Sequence, residues 1–130
     1  MLSVFDVPMS LKFYCDELGF KISSTDRKAA PRFDWVMLRL NNSELMLNTA
    51  YEEDQRPASP DPARIAAHQD TVIYIGCPDV DGAYAHLRSM GINVKEPKVA
   101  RYGMKQLYVT DPDGYLLCFQ WRAEGQATTG

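Results

Sequence analysis

Few side chains in this sequence could do chemistry, and their spacing limits what they could do. Histidine occurs at two positions, His68 and His86, and cysteine at three, Cys15, Cys77 and Cys118. No pair of cysteines has CxxC spacing, so neither a zinc knuckle nor a disulfide framework is indicated, and the thiols read as reduced and buried. Cys118 is the one candidate nucleophile. A reactive thiol needs a base or a cation beside it, and no histidine is spaced to supply one; only Arg39 could be a neighbour. Glu44 could act as a general base if burial raised its pKa, which nothing nearby supports. Glu44, Asp70 and His68 are the one set that could gather around a metal, against the plainer reading of polar residues at a rim. His86 falls opposite the apolar stripe of its helix and reads as solvent-facing. The acidic triplet Glu52-Glu53-Asp54 reads as solvated loop. No residue is assigned a catalytic role.

Composition narrows the classes further. A chain of 130 residues, 45% hydrophobic and 24% charged, reads as one domain with a sizeable core. Net charge is −3 with dispersed Lys and Arg, which argues against a nucleic-acid face and leaves room for a cationic ligand. No apolar run is long enough for a membrane span and no signal peptide is visible, so a cytoplasmic location is expected.

The elements that must position these residues come in duplicate. Asp6-Val7-Pro8 leading to Leu18-Gly19 matches Asp79-Val80-Asp81 leading to Met90-Gly91, and Met46 in Glu44–Asn48 matches Cys118 in Leu116–Gln120. The repeat is about 72 residues and occurs twice, which is a duplicated module rather than a solenoid. In the first copy Met1–Phe5 reads as a strand. Val7, Leu11, Tyr14 and Leu18 then line one face of a helix with Asp6 as cap and Gly19 as stop. Strands follow at Phe20–Ser24, Phe33–Leu40 and Glu44–Asn48. In the second copy Thr71–Cys77 is a strand, and Val80, Ala83, Tyr84, Leu87 and Met90 form a helical stripe between Asp79 and Gly91. Val94–Ala100, Gln106–Thr110 and Tyr115–Gln120 are the remaining strands, the last two joined by the Asp111-Pro112-Asp113-Gly114 turn. The organisation is module one 1–50, a proline-bearing linker 51–69 with a helical turn at Ala63–Ala67, module two 70–122, and a disordered polar tail 123–130.

The chain resembles the vicinal-oxygen-chelate superfamily of glyoxalases, extradiol dioxygenases and bleomycin-resistance proteins. The carriers are Asp6–Tyr14 running into Leu18-Gly19-Phe20, then Pro78-Asp79-Val80-Asp81, and above all Val109-Thr110-Asp111-Pro112-Asp113-Gly114-Tyr115, spread over residues 2–121. The resemblance implies an α+β fold: two tandem βαβββ modules forming an eight-stranded open mixed sheet around a cavity, with helices outside. It also implies a homodimer, in some members with modules exchanged between chains. Metal-dependent members draw ligands from the first and last strand of each module. Here those positions hold Val72, Met46 and Cys118, and the fourth falls before Met1. Thiol, thioether and alkyl groups do not replace imidazoles and carboxylates on a divalent cation, so neither metal nor cofactor is expected.

Strand alternation then sorts the cavity from the core. Glu44, Met46, Asn48, Val72, Tyr74, Leu116, Cys118 and Gln120 share the ligand-position parity, whereas Leu45, Leu47, Ile73, Ile75, Leu117 and Phe119 are uniformly apolar and should lie under the helices. Trp35, Met37 and Arg39, with Gln106, Tyr108 and Thr110, complete the inward set. The ligand-binding residues expected are Trp35, Met37, Arg39, Glu44, Met46, Asn48, Val72, Tyr74, Gln106, Tyr108, Cys118 and Gln120. Such a mixture suits a small organic molecule held by stacking and a few hydrogen bonds, although the same side chains could fill a collapsed cavity. The expected function is metal-free binding, and sequestration, of an aromatic or cationic compound. The alternatives are a divalent-metal-dependent glyoxalase-like lyase or dioxygenase, and a non-catalytic structural or regulatory dimer.

Overall fold

A computed structural model describes residues 1–123. The first module is β1 (Leu2–Val4), α1 (Val7–Leu11) continuing as wider π-helical turns over Lys12–Glu17, β2 (Lys21–Thr25), β3 (Trp35–Leu40) and β4 (Ser43–Thr49). A linker with a short helix, α2 (Pro62–Ala67), leads to the second: β5 (Val72–Gly76), α3 (Val80–Ser89), β6 (Lys98–Val99), β7 (Met104–Thr110) and β8 (Leu116–Arg122). The strands make two four-stranded mixed sheets in orders β1-β4-β3-β2 and β5-β8-β7-β6, so the repeat seen in the sequence is a repeat of topology. In each, the first strand runs parallel to the last and the remaining pairs are antiparallel.

Alternation places the core where the apolar parity set requires. Val36, Leu38, Leu47, Leu107 and Leu117 are fully buried beneath the helices, with Ile75 and Phe119 nearly so. Each such side chain contributes on the order of 2 kcal/mol by leaving water. Val7, Leu11 and Tyr14 of the first helical segment and Val80 and Leu87 of α3 supply the other side of one cluster spanning both modules. Met90 was placed on that stripe by its spacing, but it lies past the last turn and is exposed.

Three local expectations are corrected. Asp6 does not cap α1 with its side chain; its carboxylate pairs with Arg32 and Arg56 instead. Asp79 does cap α3, accepting the Gly82 N–H at 2.9 Å. Val94–Ala100 is strand only at Lys98–Val99: Pro97 has no N–H to give a ladder, and Val94 is drawn into the core. Ala123, assigned to the tail, is buried and donates its N–H to the Gly103 carbonyl; the rest of that tail, 124–130, lies outside the described residues.

The modules are tied together at the Asp111–Gly114 turn. Asp113 is fully buried, and its Oδ1 accepts the Phe5 N–H at 2.7 Å and Arg64 Nη1 at 2.7 Å, while Ser10 Oγ donates to Oδ2. Arg64 also donates to the Ser3 carbonyl, and Arg56 to that of Phe5. Tyr14 Oη donates to Asp111 Oδ2 at 2.6 Å, and the Asp113 and Tyr115 N–H groups donate to Oδ1. Burial, against these donors, raises the Asp111 carboxyl to about 6, and burial beside it pushes the Tyr14 phenol far up. Gly114 adopts φ 89° against the Ile65 carbonyl, which a Cβ would overlap.

Candidate functional site

The inward parity set forms one face of each sheet, as its cross-strand partners require. In the first, Trp35 stands opposite Asn48, Met37 opposite Met46, and Arg39 opposite Glu44. In the second, Tyr74 and Tyr108 flank Cys118, Gln106 stands opposite Gln120, and Val72 pairs with Leu116. Residues directly opposite share a face, so each list is a real surface.

The second surface borders a large cavity. A cleft of about 780 Å³ opens where the chain leaves α3 and wanders to β6, between the 92–101 segment and the side chains of Gln106, Tyr108, Thr110 and Leu116. Of the expected site residues, Gln106 and Tyr108 line it. Val72, Tyr74, Cys118 and Gln120 continue the same sheet face away from it. Trp35, Met37, Arg39, Glu44, Met46 and Asn48 do not reach it and lie on the other sheet. The 92–101 wall was missed because its apolar residues read as a strand; Pro97 directly after Lys95-Glu96 was the signal that the strand would not form.

From the cleft onto the sheet face beside it runs a chain of neutral polar groups. Gln106 Nε2 donates to Tyr102 Oη at 2.6 Å and to Gln120 Oε1 at 2.9 Å, and Tyr108 Oη donates to Gln106 Oε1 at 3.2 Å. Tyr102 was not foreseen as part of this set; it sits in the loop before β7. Gln106 is held rigidly by these bonds, whereas Tyr108 and Tyr102 leave ring area exposed. Desolvation, then Cys118 and Tyr74 beside it, push the Tyr108 phenol up to about 12, so at neutral pH it is an uncharged donor. Burial likewise pushes the Cys118 thiol up, which makes it a poor thiolate nucleophile.

The positions that hold a metal in related folds can be judged by their chemistry. Met46 is on β4, Val72 on β5 and the buried Cys118 on β8. One protonated thiol among alkyl and thioether groups does not fit a divalent cation. The shifted set does not gather either. Glu44 pairs with Arg39 at 3.2 Å, and His68 stacks on Tyr115 with its Nδ1 2.7 Å from the Asp113 carbonyl. Among the described residues no three His, Cys, Asp or Glu side chains form a metal-holding group. His86 is exposed, but its Nε2 contacts the Glu17 carbonyl at 3.0 Å and so bridges the helical segments of the two modules.

Comparison with known proteins gives the wider setting. The family model described as the Glyoxalase/Bleomycin resistance protein/Dioxygenase superfamily matches residues 1–119. The protein YaeR of Escherichia coli (strain K12) is 33% identical over 116 residues, which are 86% of this chain and 84% of that one. Among solved structures, TioX from Micromonospora sp. ML1 superposes with a TM-score of 0.70 at 16% identity, covering 93% of this chain and 94% of its own. TnmS3, an antibiotic binding protein from Streptomyces sp. CB03234, gives 0.65 at 19% identity, covering 94% and 91%. At these identities the two structures speak for the fold.

Proposed function

Because the chain belongs to the glyoxalase/bleomycin resistance protein/dioxygenase superfamily, we propose that it binds a small, largely aromatic organic molecule in the cleft of its second module, without a metal or other cofactor. The observation that carries this reading is the cleft with Gln106 and Tyr108 in its lining, their amide and phenol groups already oriented by hydrogen bonds to each other and to Tyr102 and Gln120 beside it. The donor set at Met46, Val72 and Cys118 supports the metal-free part. The antibiotic-binding activity named for TnmS3 lends the same direction to the ligand. Sequestration needs only such a cleft.

The protein acts in this reading as a cytoplasmic homodimer, with a small molecule rather than nucleic acid as its partner. Tyr74 and Tyr108 stand exposed on the open sheet face. The Trp35, Met37 and Met46 surface of one protomer is available to close over the cleft of its partner, which would bring the whole expected site together. Among the described residues no helix is long and apolar enough to cross a membrane.

Metal analysis of the protein as purified is the direct test. The expected result is no stoichiometric Ni, Zn, Fe or Mn, and one equivalent of any of them would overturn the metal-free reading. A thermal-shift screen of polycyclic aromatic compounds should find at least one that raises the melting temperature in proportion to its occupancy. A protein that responds to none would be better described as a structural dimer.

A further inference from the structure

The whole chain and its cleft carry opposite charge. The formal net charge is −3, yet the cleft is lined by three cations, Lys95, Lys98 and Arg101, against one carboxylate, Glu96. Elsewhere, Lys28, Arg32, Arg39, Arg56 and Arg64 sit within 4.0 Å of a carboxylate, while Lys12, Lys21, Arg27, Arg88 and Arg122 form no ion pair among the described residues. Lys105, in register with Val99 on the strand that borders the cleft, is turned to Asp81 at 2.6 Å. Among the described residues, Lys95, Lys98 and Arg101 form no ion pair, and neither does Glu96. Within this cleft three cations gather along one wall with a single carboxylate among them.

We propose that the ligand of this cleft is an aromatic anion, a polycyclic carboxylate or its equivalent, and not the cationic compound that the overall charge suggests. The inference rests on the reading that the cleft is a small-molecule site, and it adds the sign of the ligand's charge. The anionic group meets the Lys95–Arg101 wall, where a partly enclosed cleft concentrates the field of the three cations. The ring system lies against Leu116 and the exposed part of Tyr108, with the hydroxyl of Thr110 as a neutral donor to ring oxygens. The Leu116 side chain and the Tyr108 ring give nothing to a small, strongly hydrated anion such as inorganic phosphate, which is disfavoured.

Three fluorescent probes with one ring system separate the charge from the shape: anthracene-9-carboxylate, 9-anthracenemethanol and 9-(methylaminomethyl)anthracene. Titrated into the full-length protein at neutral pH and low salt, the acid should bind about ten-fold tighter than the amine, since each exposed ion pair contributes a factor of a few. Lys95→Gln, Lys98→Gln and Arg101→Gln combined change only exposed side chains, so the variant should fold. It should lose about ten-fold for the acid and keep its affinity for the alcohol within about two-fold. Raising the salt should weaken the acid alone. The proposal is overturned if the amine binds as tightly as the acid, or if the triple variant keeps the acid's advantage; in both cases the small-molecule site survives. If none of the three probes binds, the cleft is not a site for planar aromatics, and the reading beneath the proposal falls with it.

Discussion

The two modules have the same strand order and differ at two places, and each difference has a consequence. In the first module the strand after the helix, β2, pairs with β3 from Lys21 to Thr25. Its counterpart in the second begins as irregular chain from Ile92 to Pro97, and only Lys98 and Val99 join the sheet. The cleft is the space left by that departure. The other difference is the turn between the last two strands. Asn41-Asn42 in the first module is an exposed tip, with Asn41 tolerating φ 55°. Asp111–Gly114 in the second is buried and holds both modules and the linker. One copy stayed regular while the other took on both the junction and the cleft. A duplicated fold is free to specialise where a repeat unit can lapse without costing its partner's core.

If the junction is the less forgiving of the two turns, Gly114→Ala should produce the largest loss. The new Cβ would meet the Ile65 carbonyl at a backbone angle unfavourable to alanine, and strain and overlap together cost roughly 3 to 5 kcal/mol. Urea denaturation measures it, and a loss below about 1 kcal/mol would mean that α2 is not seated on the turn. Arg64→Ala comes next. It leaves the fully buried Asp113 carboxylate with only the Phe5 N–H and Ser10 as donors, a loss of about 3 kcal/mol. The corresponding rim pair of the first module, Arg39 with Glu44, is exposed, and Arg39→Ala should change stability by less than about 0.5 kcal/mol. Equal losses from the two arginines would erase the distinction between the modules.

Much of the fold was legible because two kinds of periodicity recur in order. The Val80–Leu87 stripe, the capping Asp79 and the alternation in Glu44–Asn48 and Leu116–Gln120 are local rules, and each element formed where its rule applied. Val94–Ala100 read as a strand on composition, and pairing failed because one proline and a buried valine outweighed the apolar content. The candidate site was legible as two faces, not as one cleft. Parity assigns Gln106, Tyr108, Trp35 and Met46 to the inward set, but it says nothing about how far apart two sheets stand. The junction was partly visible as an Asp-Pro-Asp-Gly turn. Its partners, Tyr14, Arg64 and the Phe5 N–H, are between 49 and 108 residues away in sequence, and no spacing rule reaches that far.

The buried turn should also make the second module the pH-sensitive one. Asp111 has its carboxyl raised from 3.8 to about 6, chiefly by burial. Its folded pKa lies above its unfolded one, so the stability it contributes is complete below about pH 4 and is lost as pH rises through 6. Asp111→Asn keeps the two backbone N–H bonds to its oxygen and still faces Tyr14, but it cannot ionise. Relative to the wild type, that variant should therefore gain roughly 2 kcal/mol between pH 4 and pH 6 and nothing further above it. A gap that stays constant with pH would show that the three donors to Asp111 fully offset its burial.

The smallest expected difference between the copies concerns where the modules ought to remain alike. Gly19 and Gly91 end the two helical segments at φ 88° and φ 78°, and in neither case would a Cβ find any atom within 4 Å. Alanine at either position therefore meets the same intrinsic penalty of the left-handed conformation, about 1 kcal/mol, with no packing contribution to separate them. The first segment, however, ends in π-helical turns whose last carbonyls are met by Leu18, Gly19 and Phe20, while α3 closes on Met90, Gly91 and Ile92. Equal losses for Gly19→Ala and Gly91→Ala in urea would show that the helix stop is a property of the repeat. A Gly19→Ala loss twice that of Gly91→Ala would place the difference in the wider turns of the first module, and the asymmetry between the copies would then extend to the helices as well as to the turns and the second strand.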